Sequence, residues 1–424
     1  MLEIISLRVV IDPMKSKNYK DFIKSQDKPI AFVLWIGGTG LGVIRSLGRR
    51  GIPVIGLDPY SREIGHFSRY CQGIVCPDPK TKEGEYVDFL LYLGEQLNTK
   101  GVLIPTSDVD VLAISKHREK LEKYYHFPMA KLDIIEKLVN KRIFYKTLDE
   151  LDMPHPKTYF PNDNSDVAQI SKEISYPCII KPIFSYKSKF GAKVLKVNSE
   201  QELIKAFERT NLNAQEIVIQ EVIPGSDTNM YLVGAYFNSA SEPLGIFTFK
   251  RIRQYPRGFG NGALCASVWT PEIAKLCVSF LNKIKYHGII DAELKKDPRD
   301  NKFKFIEINA RTGWQNSLAT RCGVNLPYMA YMDAIGQDVE KATSQRDDVK
   351  WVYMFDDLRS SFESMMEREL SPIEYIKSLR GEKQYAIFAW DDPAPSFISL
   401  FNLGSSALRY LARHLISYVK LVTR

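Results

Sequence analysis

Apolar residues run in short blocks along the chain, and their spacing switches repeatedly from the period of a strand to that of a helix. The first block, residues 31–36 (AFVLWI), is unbroken, as a strand buried on both faces requires. It enters the glycine-rich run 37–42 (GGTGLG), continues with helical spacing to Leu47, and returns as a second apolar strand, 54–57, ending at Asp58. This is a βαβ opening whose glycines bring backbone N–H groups to a helix start, where an anion can bind. A dinucleotide site would space its glycines GxGxxG; here they run GGxGxG, so a nicotinamide site with Asp58 on the ribose and plain strand-to-helix packing both stand as readings. A further buried strand, in 101–108 (GVLIPTSD), ends in Thr106, Ser107 and Asp108, at the strand end where open α/β sheets place ligand contacts. The same Ser and Asp serve equally well as helix caps.

Helical spacing occupies 132–151, and three prolines in 153–161 (MPHPKTYFP) break it, so a domain joint is expected there. Seven strand-length runs follow: 178–182, 193–197, 216–223, 231–237, 243–249, 288–294 and 303–308, with helices expected over 199–210 and 271–285. Beyond Asp347 the pattern is less regular: a short helical stretch, the segment 386–396 (AIFAWDDPAPS) and a final helix.

The last two strand runs carry the most chemistry. In 303–311 (FKFIEINAR) strand alternation sends Glu307, Asn309 and Arg311 to one side, and in 288–295 (GIIDAELK) it pairs Asp291 with Glu293. The turn-rich 297–301 (DPRDN) folds the two runs into a hairpin that presents carboxylates and an amide on one face. Hard divalent cations take such oxygens, and Mg2+ in particular is held by one or two carboxylates plus substrate phosphates, which points to nucleotide chemistry. Upstream, Lys141 in LVNKRIFY and Lys181 in YPCIIKPI supply compact positive charges suited to phosphate oxygens, although either one alone reads as a solvated lysine. The polar run 184–193 (FSYKSKFGAK) between two strands suits a loop closing over phosphates, or a mobile surface hairpin.

With 424 residues, 45% of them hydrophobic, two or three domains are expected. No run of about eighteen apolar residues occurs and the N-terminus lacks a signal-peptide core, so a cytoplasmic location is expected. The six cysteines form no CxxC pair, which suits reduced, buried thiols and argues against zinc. The net charge of +8 favours anionic partners.

Taken in series, LVNKRIFY, DMPHPKT, CIIKP, IVIQEVIPGSDTNMYLVGAY and FIEINARTG resemble the ATP-grasp superfamily of carboxylate–amine ligases, and within it D-aspartate ligase-like and carbamoyl-phosphate synthase large-subunit-like proteins. The resemblance implies an α/β (α+β ATP-grasp) fold. Its expected parts are an extension (1–28), a Rossmann-like pre-ATP-grasp domain (29–128), a two-lobed ATP-grasp core (129–340, mobile lobe about 155–222) and a C-terminal region (341–424). It implies that Lys141 and Lys181 contact ATP phosphates, that Gln220 faces the adenine amino group beside the backbone of Glu221, Val222 and Ile223, and that Asp227 holds the ribose. Glu293, Glu307 and Asn309 become ligands of Mg2+ or, alternatively, Mn2+, with Asp291 the fallback for Glu293, and Arg311 joins Lys181 as a catalytic residue. The basic segment 250–262 (KRIRQYPRGFGNG) lies where such ligases bind an acceptor; Arg251, Arg253 and Arg257 either grip a carboxylate or phosphate there or form a solvated loop. Asp108, Trp314 and Gln315 are further candidates for the substrate pocket. The implied reaction activates a carboxylate as an acyl phosphate and joins it to an amine, with small acids and amines such as amino acids or an envelope precursor as substrates and no nucleic-acid partner. A catalytically silent ATP-binding scaffold at a membrane, or an NAD(P)-dependent oxidoreductase, are the alternatives.

After Pro395 no acidic residue occurs. Helical spacing over 405–424 places Leu408, Leu411, Ala412, Leu415, Val419 and Val422 opposite Arg409, Arg413, Lys420 and Arg424, a basic amphipathic pattern that suits either an anionic membrane surface or packing on its own domain.

Overall fold

The structure, a computed structural model, describes residues 19–184 and 193–403. Three sheets carry the chain. The first is wholly parallel: Ala31–Leu34 (β1), Val54–Asp58 (β2), Gln72–Val75 (β3), Gly101–Pro105 (β4) and Tyr125–His126 (β5), in the order β3-β2-β1-β4-β5. β1, β2 and β4 are buried at every position, as the unbroken apolar runs require. The second sheet is small and antiparallel: Thr158–Tyr159 (β6), Cys178–Pro182 (β7), Leu195–Val197 (β8) and Ile217–Glu221 (β9), in the order β6-β9-β7-β8. It is backed by helices Asn164–Glu173 and Glu200–Thr210 around a core of its own.

The third sheet takes Met230–Phe237 (β10), Pro243–Tyr255 (β11), Asn261–Ser267 (β12), Gly288–Lys296 (β13), Phe303–Asn309 (β14), Lys350–Val352 (β15) and Lys383–Tyr385 (β16), in the order β14-β13-β10-β11-β12-β15-β16. The expected hairpin of β13 and β14 forms, and Asn301 in its turn adopts φ +61°, a left-handed conformation that Asn tolerates. One cluster of buried side chains runs from Phe32 and Tyr125 through Phe144 to Phe280 and Phe305, joining the parallel sheet to the third sheet without a break.

Four differences from the sequence pattern have local causes. The helical stretch 132–151 is two helices, Leu132–Val139 and Lys141–Glu150, because Asn140 is extended and its side chain caps the second by accepting from the N–H groups of Arg142 and Ile143. Arg251 and Arg253 lie within β11, not in a loop. The short strand β3 (QGIV) and β12 (NGALCAS), whose apolar run is short and made mostly of small residues, are strands that the sequence pattern does not mark. The helix at Tyr19–Lys24 buries Ile23 in the main core, so part of the N-terminal stretch belongs to the folded body. Residues 185–192 of the polar loop and the 405–424 amphipathic segment lie outside the described residues. Among the described residues no helix is long and apolar enough to cross a membrane.

Candidate active site

A cavity of about 460 Å3, a volume suited to a small-molecule ligand, opens where the three sheets meet. Its floor is the β13–β14 hairpin. Antiparallel register sets Glu293 opposite Glu307 and Asp291 opposite Asn309, so four oxygen-bearing side chains share the face that alternation predicts. Ile306 is left unpaired by a bulge between the Glu293 and Leu294 pairings, and its carbonyl is held by the Tyr145 hydroxyl.

The cations arrive from separate elements. Lys141 opens its helix and donates from Nζ to Glu307 Oε1 at 3.3 Å. Lys181, near the end of β7, donates to Gln220 Oε1 at 2.8 Å, and Gln220 in turn donates to Thr158 Oγ1 at 2.7 Å. Gln220 is thus buried beneath the lysine with both amide atoms engaged, rather than standing free toward the cavity. Lys193, at the far end of the polar loop, donates to Asn261 Oδ1 at 2.6 Å and ties the small sheet to the third sheet across the cavity. Arg311 donates from Nε to Asp108 Oδ1 at 2.7 Å and from Nη2 to Asn309 Oδ1 at 3.2 Å. Asp108 follows Ser107, which caps the helix Asp108–Lys116 by accepting from the Asp110 N–H, so both sequence readings of this segment meet: Ser107 caps, Asp108 faces the cavity.

These charges set one another. Burial alone would raise Glu307, but the ammonium groups of Lys141, Lys193 and Lys181 outweigh it and hold the carboxylate at about 2. Burial pulls Lys181 down to about 8 despite the pull of Glu307 in the other direction. Asp291 is pushed up to about 7 by burial and by the charge of Glu293. For Arg251, burial is outweighed by Glu293, whose carboxylate lies 3.2 Å away, and the guanidinium is held above its usual range.

Glu221, Val222 and Ile223, where the chain leaves β9, line another side of the cavity. The Glu221 carboxylate itself turns away to Arg299 and the Lys157 N–H, so only its backbone faces inward. Asp227 accepts from Gln254 Nε2 at 2.7 Å, and Lys295 donates to the Ile223 carbonyl at 2.8 Å. Gln254 and Lys295 were not foreseen. Lys295 lies two residues past Glu293 on the same strand face, a signal present in the sequence; Gln254 reaches the cavity only through an irregularity of β11 at Ile252.

Of the expected site residues, Lys141, Lys181, Gln220, Glu221, Val222, Ile223, Asp227, Arg251, Asp291, Glu293, Glu307, Asn309, Arg311, Asp108, Trp314 and Gln315 all line this cavity. Arg253 and Arg257 do not, which corrects their assignment to the substrate pocket. In the β11–β12 register Arg251 pairs with Cys265 and Arg253 with Leu264, so Ile252 is an extra residue and alternation resets. Arg253 therefore faces the other way and forms a buried fork on Asp357, with Nε at 2.7 Å and Nη2 at 3.1 Å, while Gln254 returns to the cavity. Arg257 pairs with Glu367 and Glu369 at the surface.

The glycine turn serves packing. A Cβ on Gly38 would lie 2.4 Å from Trp314 Nε1, and one on Gly42 would lie 2.2 Å from Asn316 Oδ1. Asp58 is wholly buried and accepts from the N–H groups of Ile36 and Tyr60, so its carboxylate is spent inside the fold rather than offered to a ribose.

Among the described residues no group of three or more His, Cys, Asp or Glu side chains is set to hold a metal ion by itself. Two facing carboxylates with an adjacent amide fit Mg2+ nonetheless, because that ion takes its remaining oxygens from phosphates and water.

No family model matches the chain. It is 27% identical over 270 residues to D-aspartate ligase of Enterococcus faecium, a match covering 60% of this chain and 64%, less than two thirds, of that protein. Among solved structures it resembles L-amino acid ligase from Bacillus licheniformis (TM-score 0.57, 15% identity, 73% of this chain and 75% of the other). It also resembles the biotin carboxylase domain of 2-oxoglutarate carboxylase from Hydrogenobacter thermophilus, in complex with MgADP, ADP and bicarbonate (TM-score 0.59, 16% identity, 76% and 73%). The chain has the ATP-grasp fold.

Proposed function

We propose that this protein is an ATP-dependent carboxylate–amine ligase that forms an amide bond and releases ADP and phosphate. The observation that carries the reading is the register of β13 and β14, which sets Glu293 against Glu307 and Asp291 against Asn309 on a face shared with Lys141, Lys181 and Arg311. A sequence relative and a structural neighbour whose names state ligase activity, and a second structural neighbour bound to MgADP, support it.

The backbone of Glu221, Val222 and Ile223, with Asp227, receives the adenosine. Lys141, Lys181 and Lys193 face the triphosphate. Glu293, Glu307 and Asn309, with Asp291 beside them, are the residues that would hold Mg2+, or Mn2+ through the same oxygen donors, and the ion when bound would neutralise phosphate charge. A substrate carboxylate oxygen attacks the terminal phosphorus, the bond to the ADP oxygen breaks, and the acyl phosphate forms. The amine nitrogen then attacks the acyl carbon, phosphate leaves, and the amine loses its proton. Two anions about 4 Å apart repel by on the order of 4 kcal/mol at an effective dielectric near 20, which is the barrier component that Arg311 and the lysines oppose. Arg311, held by Asp108, is the residue best placed to meet charge on the acyl phosphate oxygens. Arg251 and Trp314 face the substrate side, and amino acids are the substrate class favoured, with an envelope precursor as one acceptor.

The test is acceptor-dependent ADP release across amino acids, dipeptides and amino sugars, with mass spectrometry of the product. Release that depends on one acid–amine pair and is lost in Lys181→Ala and Glu307→Ala supports the reading; full release by both variants overturns it.

A further inference from the structure

The segment 386–396 does not touch the cavity, yet it is fastened to the parallel-sheet domain more firmly than a connecting loop requires. Arg45 donates from Nε to Asp392 Oδ2 at 2.9 Å, from Nη2 to the Asp392 carbonyl at 2.8 Å and from Nη1 to the Ile387 carbonyl at 2.7 Å. Ser68 Oγ and the Arg69 N–H complete the Asp392 carboxylate, which is 1% exposed. Beside it, Arg49 forks onto Asp391, which also accepts from the Tyr70 hydroxyl.

On this pinned strap several large apolar side chains are exposed, while Ala386 and Pro395 are buried. Trp390 is 88% exposed although its ring is braced edge-on against Phe388 at 4.7 Å. Residues 394–403 are helical, and Phe397, Leu400 and Phe401 occupy one face at 68%, 53% and 48% exposure. A segment pinned by a buried ion pair is not exposed through looseness, and an exposed helix face of Phe397, Leu400 and Phe401, with Trp390 exposed on the same strap, marks a docking surface.

Charge says what covers it. Arg62 and Arg69, both exposed, border the patch: Asn402 binds the Arg62 carbonyl, and the Arg69 guanidinium reaches the Asp391 carbonyl. The only carboxylates on the strap, Asp391 and Asp392, are neutralised by Arg49 and Arg45. The chain then continues for 21 residues, 404–424, that contain Arg409, Arg413, Lys420 and Arg424 and no acid. An apolar patch with a basic rim, continued by a basic sequence with apolar residues at helical spacing, matches an anionic lipid surface.

We propose that the strap face formed by Trp390, Phe397, Leu400 and Phe401 docks this protein on an anionic lipid bilayer. The proposal does not depend on the ligase reading, and its test reads no catalysis. Full-length protein is sedimented with vesicles of phosphatidylcholine alone or with phosphatidylglycerol, and tryptophan emission is measured with brominated lipid. The expected result is binding to the phosphatidylglycerol vesicles only, weakened by added salt, with quenching that disappears in Trp390→Phe. Partitioning should fall at least about tenfold in the Trp390→Ser/Phe397→Ser/Phe401→Ser triple variant and on the order of a thousandfold when the chain stops at residue 403, as removal of four basic groups implies. All three serine positions are exposed, so the triple variant keeps its fold, checked by circular dichroism. Equal binding to both vesicle types, no binding, or quenching unchanged in Trp390→Phe would overturn the proposal. So would a dimer in light scattering that the triple variant dissolves without any vesicle binding, because a second copy would then cover the face.

Discussion

Lys181 is almost wholly buried, 6% exposed, and in the ligand-free protein burial lowers it from 10.5 to about 8. A lysine whose folded value lies below its unfolded value carries a penalty that is complete below the folded value and vanishes as pH passes the unfolded one. At about 1.4 kcal/mol per pH unit, the gap of roughly 2.5 units corresponds to about 3 kcal/mol, most of it recovered between pH 7 and pH 10. Lys181→Met removes the titrating group while keeping the length of the side chain. Urea unfolding of wild type and variant, each at pH 7 and pH 10, isolates the term, because every other titrating group is common to both proteins. The wild type should gain about 2 to 3 kcal/mol relative to the variant on going to pH 10. The variant should be the equal or better of the two at pH 7 and should bind ATP more weakly, since it lacks the ammonium group proposed to meet the triphosphate. A stability difference that does not change with pH would show that Lys181 is charged at no cost in the empty protein, and the argument for a held-ready phosphate cation would fail.

Asp108→Asn weakens a charge-assisted bond worth about 1.5 to 3 kcal/mol to Arg311, so acceptor-dependent ADP release should fall roughly ten- to a hundredfold while ATP affinity, measured by calorimetry, stays near wild type. Arg253→Met strands the fully buried Asp357 and should cost about 3 to 5 kcal/mol in urea unfolding, whereas Arg253→Met/Asp357→Leu should recover much of that loss with substrate KM unchanged. Arg257→Gln breaks only surface pairs and should cost less than about 1 kcal/mol. Gly38→Ala places a methyl carbon 2.4 Å from Trp314 Nε1 and should destabilise the protein by about 1 to 3 kcal/mol, with the loss visible as an altered near-ultraviolet tryptophan signal.

The hairpin was readable because its information is local. Period-two alternation fixes which of Asp291, Glu293, Glu307 and Asn309 share a face, and the 297–301 turn fixes that the two runs pair. Lys141 and Lys181 were readable as cations at strand and helix ends, though nothing in their neighbourhood shows that Lys181 rests on Gln220. The basic segment 250–262 misled for the opposite reason. Its three arginines look equivalent in sequence, but a bulge at Ile252, set by how β11 registers on β12, sends Arg251 to the cavity, and Arg253 to Asp357 lies on the other side. The same event hides Gln254. The glycine run 37–42 was ambiguous between binding an anion and close packing until Trp314 and Asn316, more than 270 residues away, were seen against it.

What the sequence alone determined was the content of each face: strand and helix periods sort side chains by side, and the cavity floor and the parallel opening sheet follow from that sorting. Which cation meets which carboxylate was decided only by tertiary structure. Asp108 on Arg311, Glu307 on Lys141 and Asp392 on Arg45 join residues 203, 166 and 347 positions apart. Such pairings depend on how rigid layers stack and where a bulge turns a strand, and an ion pair has no sequence period by which it could be read in advance.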